Sequence, residues 1–208
     1  MKNVLLVTSS PRGGHSHSTA VATEFARSLG GRVIVRDLNH RPLTMIGPDY
    51  VAAAYTSVDQ RTADQEEILR PSDQLIKELK EADIVVIAAG MINFGMPASL
   101  KTWIDHVTRA GITFTYTDDG PRGLLTGKQA ILVLSYGGVY SKGPYAALNF
   151  LEPALRTNLG FLGIHDVRTI SIEGTSLPGD TWEASLESAK EQAAAIADSL
   201  RDRRSLAA

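Results

Sequence analysis

Three segments of the sequence have the composition of ligand-binding loops. The first, residues 9–18, reads Ser-Ser-Pro-Arg-Gly-Gly-His-Ser-His-Ser between an apolar run and a helical pattern. Its hydroxyl groups, together with the free N–H groups of a helix start, could hold a phosphate. It contains neither the Gly-x-Gly-x-x-Gly dinucleotide pattern nor a Gly-Lys-Ser/Thr phosphate loop. We predict a phosphate cradle; the alternative is a turn that only caps the helix.

The other two segments combine apolar side chains with glycine. Residues 90–97, Gly-Met-Ile-Asn-Phe-Gly-Met-Pro, put bulky apolar groups where a turn is normally polar. A flat aromatic ligand could use such a loop, with backbone N–H groups meeting its ring heteroatoms. The alternative is a loop packed under neighbouring elements or a subunit contact. Residues 135–140, Ser-Tyr-Gly-Gly-Val-Tyr, would let the backbone approach a ligand closely, although Gly-Gly also occurs in ordinary turns.

Other candidate chemistries find little support. His15 and His17 alternate, so in an extended loop they point apart, and no carboxylate lies near them in the sequence. The chain has no cysteine, which excludes disulfides, thiolate metal sites and a cysteine nucleophile. It also lacks the Gly-x-Ser-x-Gly elbow of serine hydrolases. We therefore predict no metal site and assign no catalytic side chain.

Short apolar runs alternate with helical patterns and so predict the elements that position these loops. Strands are predicted at residues 4–7, 32–37, 83–88, 129–135 and 165–172, and a hairpin excursion at 111–127. Helical pieces are predicted at 49–56 and 60–69. Further helices are predicted to be capped by Ser18, opened by Pro71, started near Pro97 and capped by Thr181. One more is predicted after the fourth strand, with Leu148, Leu151, Leu155 and Leu159 as its apolar residues. Five strands, each followed by a helix, indicate an open parallel sheet with helices on both faces, and the three loops follow its first, third and fourth strands.

Size and charge limit the class of protein further. The chain has 208 residues and a net charge of -2, which suits one domain over residues 1–208 and argues against nucleic-acid or membrane binding. The first apolar run is too short for a signal peptide, and no stretch approaches the roughly 20 residues of a membrane span. We expect a soluble cytoplasmic protein with a small-molecule ligand.

Five motifs in register resemble the FMN-dependent NADH-azoreductases, a family of flavodoxin-like quinone reductases. The resemblance runs from about residue 3 to residue 174, and no single motif decides it. It is carried by Val-Leu-Leu-Val-Thr-Ser-Ser at 4–10, His-Ser-His-Ser at 15–18, Met-Ile-Asn-Phe at 91–94, Arg-Ala-Gly-Ile-Thr-Phe-Thr-Tyr-Thr at 109–117 with Gly-Pro-Arg-Gly-Leu at 120–124, and Ser-Tyr-Gly-Gly at 135–138.

The resemblance implies a flavodoxin-like fold with a five-stranded parallel sheet in the order 2-1-3-4-5. It also implies a homodimer with two FMN sites at the subunit interface. Matched residue by residue, the FMN phosphate loop corresponds to Ser10, Ser16, His17 and Ser18. The loop along the isoalloxazine ring corresponds to Met91, Ile92, Asn93 and Phe94, and the loop at its other edge to Ser135, Tyr136, Gly137 and Gly138.

The resemblance further implies a ping-pong reaction. NADH or NADPH passes a hydride to flavin N5, and a quinone or azo compound then takes up the two electrons. This chain departs from the family at four positions: Gly90 and Ile92 replace the common Pro and Tyr, His17 replaces Gln, and Tyr140 replaces His.

Two alternatives to the reductase stay open. One is a flavodoxin-type electron carrier without its own small-molecule turnover, and the other is a flavin-free module of the same fold. The near-neutral charge and the 111–127 excursion favour the enzyme over the carrier, because steering a protein partner usually needs a pronounced charged patch.

Overall fold

Five parallel strands form the central sheet of the protein. A computed structural model describes residues 2–205, apart from the side chains of Thr181 and of residues 202–205. The strands of the sheet are β1 (Asn3–Thr8), β2 (Arg32–Asp37), β3 (Ile84–Gly90), β6 (Gln129–Ser135) and β7 (Asp166–Ile172), in the order β2-β1-β3-β6-β7. This is the predicted flavodoxin-like order of the five main strands. The predicted excursion is an antiparallel hairpin of β4 (Phe114–Thr117) and β5 (Gly120–Gly123).

Helices cover both faces of the sheet because the strands are apolar on both faces. The helices are α1 (His17–Ser28), α2 (Pro48–Tyr55), α3 (Ala63–Glu81), α4 (Ala98–Val107), α5 (Leu151–Phe161) and α6 (Thr181–Ser205). Along β1, Val4 and Leu6 pack in the cluster of α1 and α6, whereas Leu5 and Val7 pack with α3, α4 and α5. Alternate residues of a strand face opposite sides, so a continuous apolar run fits this central position.

The cap of α1 is Ser16, and the prediction of Ser18 is wrong. The Ser16 side-chain oxygen accepts the N–H of Thr19 at 3.2 Å. Ser16 has the extended backbone that an N-cap requires, with φ -84° and ψ 117°, while Ser18 already lies inside the first helical turn. The predicted cap at Thr181 concerns a side chain outside the described residues.

Pro71 lies inside α3, so the prediction that it opens a new helix is also wrong. The helix begins earlier, at a capping box in which Thr62 Oγ1 accepts the Gln65 N–H and Gln65 Oε1 accepts the Thr62 N–H. A buried stripe that includes Leu69 and Leu75 continues across the proline. Packing of this stripe outweighs the single intrahelical hydrogen bond that proline removes.

Several predicted boundaries move by a few residues. Leu148 belongs to a single 3-10 turn ahead of α5, and Asp83 and His165 precede their strands. β3 extends to Gly90, so the loop after it starts only beyond that residue. None of the helices, over the residues described, is long and apolar enough to cross a membrane.

Candidate functional site

The sheet brings the three predicted loops to one edge. β1, β3 and β6 are neighbours, with Thr8 paired to Ala88 and Gly90 paired to Ser135 at their carboxyl ends. The chain continues from β1 to β2 on one side, and β3 lies on the other, so the strand order reverses between β1 and β3. Ligands of open parallel sheets bind at such a reversal. The backbone ties the loops together, since Ser9 N–H donates to Ala88 O at 3.1 Å and Met91 N–H to Ser135 O at 2.9 Å.

The start of α1 has the groups of a phosphate cradle. Ser16 and Ser18 are buried, and their hydroxyl oxygens lie 3.2 Å apart. The N–H groups of Thr19 and Ala20 are satisfied by Ser16, through its side chain and its carbonyl. The N–H groups of His17 and Ser18 meet no acceptor in the described chain. Two free N–H groups beside two hydroxyls, at the positive end of a helix dipole, fit a phosphate group.

The two other residues of the predicted cradle are placed differently. Ser10 is buried, and its hydroxyl oxygen accepts the Arg12 N–H at 3.3 Å within its own loop. The His17 ring packs on the Trp182 ring of α6, with centroids 4.9 Å apart. Burial lowers the pKa of His17, and the positive charge of Arg12 lowers it further. His17 therefore brings a neutral ring to the site at pH 7. Trp182 was missed because no local pattern links it to residue 17.

The loop after β3 is a tight turn with a strained tip. Ile92 and Gly95 are joined by two backbone hydrogen bonds of 3.0 Å. Between them, Asn93 and Phe94 have φ of 47° and 68°. Such left-handed backbone costs a residue other than glycine on the order of 1–3 kcal/mol and is concentrated at functional sites. The N–H groups of Asn93 and Phe94 meet no acceptor in the described chain, so both can face the heteroatoms of a ring.

The apolar side chains of this loop divide between the core and the surface. Met91 packs against the core cluster of α3, α4 and α5. Ile92 and Phe94 are 40% and 46% exposed, so these two residues are not buried under neighbouring elements. The Phe94 carbonyl accepts the N–H of Phe150 at 3.0 Å, which fixes the loop to the start of α5. The exposed side chains can therefore meet a ligand or a second subunit.

Tyr136 supports the loop after β6 from inside. The residue is 2% exposed, its N–H donates to Ile172 O at 2.8 Å, and its carbonyl accepts the Thr175 N–H at 3.1 Å. Burial raises the pKa of Tyr136 to about 12. The phenol is therefore protonated at neutral pH and cannot act as a base there.

Gly137 and Gly138 expose backbone N–H groups. Their carbonyls accept the N–H groups of Ser176 and Gly174 at 2.9 and 3.0 Å, whereas their own N–H groups meet no acceptor in the part of the chain described. A Cβ at Gly137 would lie 3.1 Å from the Ser176 hydroxyl oxygen, and one at Gly138 would lie 3.3 Å from the Tyr140 ring. Larger residues would crowd both neighbours.

Ser135 is the last residue of β6 and directly precedes the β6 loop. It is partly buried, and a Cβ at Gly90 would lie only 3.2 Å from its hydroxyl oxygen. Ser135 therefore limits the size of the side chain that position 90 can hold.

The segment after β7 is a part of the site that the sequence analysis missed. Residues 173–176, Glu-Gly-Thr-Ser, bind the backbone of the β6 loop. The available signal was their position after the fifth predicted strand, at the same edge as the other loops. No group of His, Asp and Glu among the described residues is arranged to hold a metal ion.

Comparisons with known proteins agree on one family. A family model described as having a flavodoxin-like fold matches residues 2–197. The chain is 45% identical over 199 residues to an FMN-dependent NADH:quinone oxidoreductase of Mesorhizobium japonicum, covering 93% of this chain and 95% of that protein. It is 46% identical over 182 residues to a protein of the same name from Herminiimonas arsenicoxydans, covering 85% and 89% of the two chains.

Solved structures show the same relationship. A Bacillus anthracis azoreductase has 30% sequence identity and a TM-score of 0.88, and the match covers 96% of this chain and all of that one. An FMN-dependent NADH-azoreductase of the same species, solved in complex with FMN, has 24% identity and a TM-score of 0.85 over 96% and 99% of the two chains, and shares the fold.

Proposed function

The chain belongs to the family of FMN-dependent NADH:quinone oxidoreductases with a flavodoxin-like fold, and we infer from this that it is an FMN-dependent oxidoreductase that transfers two electrons from NADH to a quinone or an azo compound. The observation that carries this function is the set of free N–H groups on three adjoining loops at the reversal of strand order. These groups fit a phosphate at α1 and a planar heteroaromatic ring beside β3 and β6.

We propose that the residues of the three loops divide the binding of FMN. Ser16, Ser18 and the free N–H groups of α1 hold the phosphate, with Ser10 and His17 lining the cradle. These contacts need no positively charged side chain, because the helix dipole and the hydroxyls supply the positive ends of dipoles.

The β3 and β6 loops orient the flavin ring in this proposal. The N–H groups of Asn93 and Phe94 face it from one loop, those of Gly137 and Gly138 from the other, and Ser135 lies between them. Of the remaining predicted site residues, Met91 and Tyr136 anchor the loops from the core, whereas the exposed Ile92 borders the ligand.

FMN held by these loops would supply the redox chemistry, a two-electron exchange between the nicotinamide and the acceptor. The chain's own part is to hold donor and acceptor in turn against one face of the ring, at about 3–3.5 Å. We assign no side chain to proton transfer, because Tyr136 is buried and the His17 ring packs on Trp182 at the proposed phosphate cradle. Solvent can supply the protons.

We also propose that the protein is a cytoplasmic homodimer in which one domain of residues 1–208 forms each subunit. Exposed apolar side chains favour a subunit contact around α2, where Met45, Val51 and Tyr55 are 79%, 45% and 84% exposed. NADH, the donor named for the relatives, is a cytoplasmic cofactor, which favours that location.

Reduction and reoxidation of bound flavin test the function directly. Purified protein supplied with FMN, then with NADH in the absence of oxygen, should lose its flavin absorbance and recover it when benzoquinone is added. Flavin bands that NADH leaves unchanged would favour the electron carrier, and a failure to bind FMN would favour the flavin-free module.

A further inference from the structure

Three tyrosines form a row beside the β6 loop. Tyr136 is buried, Tyr140 is partly buried and Tyr145 is 60% exposed. The ring centroids of Tyr136 and Tyr140 are 5.9 Å apart, and those of Tyr140 and Tyr145 are 6.3 Å apart. The row therefore leads from the core to the surface at the edge of the sheet that carries the proposed flavin site.

The middle tyrosine is held by a carboxylate. Glu173 Oε1 accepts the N–H of Tyr140 at 2.6 Å and the N–H of Ser141 at 2.8 Å, while Glu173 Oε2 accepts the Ser141 hydroxyl at 2.6 Å. Hydrogen bonds to an ionised carboxylate are stronger than those between neutral groups. The N–H of Glu173 itself donates to Ser185 of α6 at 2.8 Å. Tyr140 is thereby fixed relative to both β7 and α6.

The Tyr140 ring lies beside the loop backbone that we propose to meet the flavin. Its Cε2 would be 3.3 Å from a Cβ at Gly138, whose N–H is free. A ligand at that N–H would therefore lie near the Tyr140 ring, and the Tyr145 ring is the next along the row. No other described contact uses the outer ring of this row, that of Tyr145, beyond its packing on Tyr140.

Resting on the proposed function, we propose that Tyr140 and Tyr145 form an aromatic wall against which the ring of a planar acceptor packs, and that Glu173 is the positioning residue that holds this wall. Aromatic rings attract one another in offset or edge-to-face arrangements. The wall therefore makes the enzyme prefer acceptors with a planar π-system, such as quinones and azo arenes, to oxidants without one.

The preference is measured by comparing two acceptors. One is naphthoquinone, and the other is ferricyanide, of which two equivalents oxidise one NADH. Tyr140→Ala should lower the ratio of kcat/KM for naphthoquinone to that for ferricyanide about fivefold, the size expected of one lost aromatic contact. The loss should appear mainly in KM for naphthoquinone. Tyr140→Phe keeps the ring and should keep the ratio.

Substitutions at Glu173 separate positioning from general damage. Glu173→Ala removes the acceptor of all three hydrogen bonds and should lower the ratio as Tyr140→Ala does. Glu173→Gln keeps an oxygen for the two N–H groups and should retain most of the preference. Glu67→Ala is the control, because that carboxylate is exposed and pairs with Arg70 within α3.

We call the hydrogen bonds of Glu173 to Tyr140 and Ser141 the Glu173 clamp. Amide hydrogen exchange of the FMN-free protein tests this clamp without any turnover. In Glu173→Ala, exchange at the Tyr140 and Ser141 N–H groups should accelerate about tenfold or more, because both lose their acceptor. The Ser176 N–H, which donates to Gly137 O, should exchange as in the wild type.

Different results overturn different claims. An unchanged acceptor ratio in Tyr140→Ala would refute the aromatic wall, and a loss in Tyr140→Phe as large as in Tyr140→Ala would assign the effect to the hydroxyl instead. Unchanged exchange at Tyr140 and Ser141 in Glu173→Ala would refute the clamp. A wild-type protein that oxidises NADH with neither acceptor would refute the proposed function. The exchange measurement would still test the clamp, because it does not depend on turnover.

Discussion

Two serines at the start of α1, Ser16 and Ser18, provide the side-chain part of the proposed phosphate binding. Ser16 both caps the helix and turns its hydroxyl toward Ser18. Removal of the Ser16 hydroxyl therefore acts on the helix as well as on the ligand. Ser18 has no capping role and is the cleaner position for a binding test.

Ser18→Ala should weaken FMN binding about tenfold or more, since a hydrogen bond to a charged group contributes roughly 1.5–3 kcal/mol. The double variant with Ser16→Ala should bind still more weakly and lose about 1 kcal/mol of stability from the missing cap. Quenching of flavin fluorescence measures the affinity, and thermal unfolding without FMN measures the stability. Thr23→Ala, one turn further along α1, is the control.

Unchanged FMN affinity in the double variant would refute the proposal that the phosphate binds at this cradle. A loss of affinity in Thr23→Ala as well would point to general damage to α1.

At the scale of elements, a buried polar network joins three helices behind the hairpin. Ser72 of α3 is fully buried, and its hydroxyl donates to the His106 carbonyl of α4 at 2.6 Å. The same oxygen accepts the Tyr50 hydroxyl of α2 at 3.0 Å and Arg109 Nη1 at 3.2 Å. Arg109 also pairs with Asp73. One small side chain therefore satisfies groups of three other residues.

Ser72→Ala should destabilise the protein by about 3 kcal/mol, because it removes the buried hydrogen bonds of Ser72 to Tyr50, His106 and Arg109 together. Urea denaturation of the FMN-free protein measures this free energy of unfolding. Ser188→Ala, on the exposed face of α6, should change it by less than about 0.5 kcal/mol. A cost below about 1 kcal/mol for Ser72→Ala would mean that water replaces the hydroxyl.

At the scale of the whole molecule, the question is what covers the apolar surface around α2. A groove there is lined mainly by apolar side chains, together with Asp105, Thr108 and Arg109. Its other lining residues are Ile46, Tyr50, Val51, Ala54, Tyr55, Ala110 and Phe114. It adjoins β4, so a subunit seated on it would lie next to the hairpin excursion. The proposed homodimer gives this surface a partner.

Val51→Asp should convert the protein from dimer to monomer, because a carboxylate would have to be buried in an apolar interface. Light scattering gives the mass in solution, and NADH oxidation with benzoquinone should fall with it. Val35→Asp is the matched control, since Val35 is 59% exposed on the edge strand β2. A dimeric Val51→Asp variant would exclude this face, and a wild-type monomer with full activity would exclude an interfacial site.

The sheet and the edge that carries the proposed site could both be predicted from the sequence. Apolar runs such as residues 129–135 predicted strands because a strand buried on both faces needs apolar side chains throughout, and the strand-helix alternation then implied the edge at which loops bind ligands. Ser16, Asn93 and Gly137 could be named because their proposed roles depend on backbone near them in the chain, and the family resemblance added FMN.

Contacts between distant parts of the chain could not be predicted from the sequence. Pro71 continues α3 because packing of the helix on its neighbours outweighs the local penalty of proline. Glu173 holds Tyr140, and Trp182 packs on His17, across separations that leave no pattern in the sequence. Such pairs arise when separate elements pack together, so their residues can be identified only once the whole fold is known.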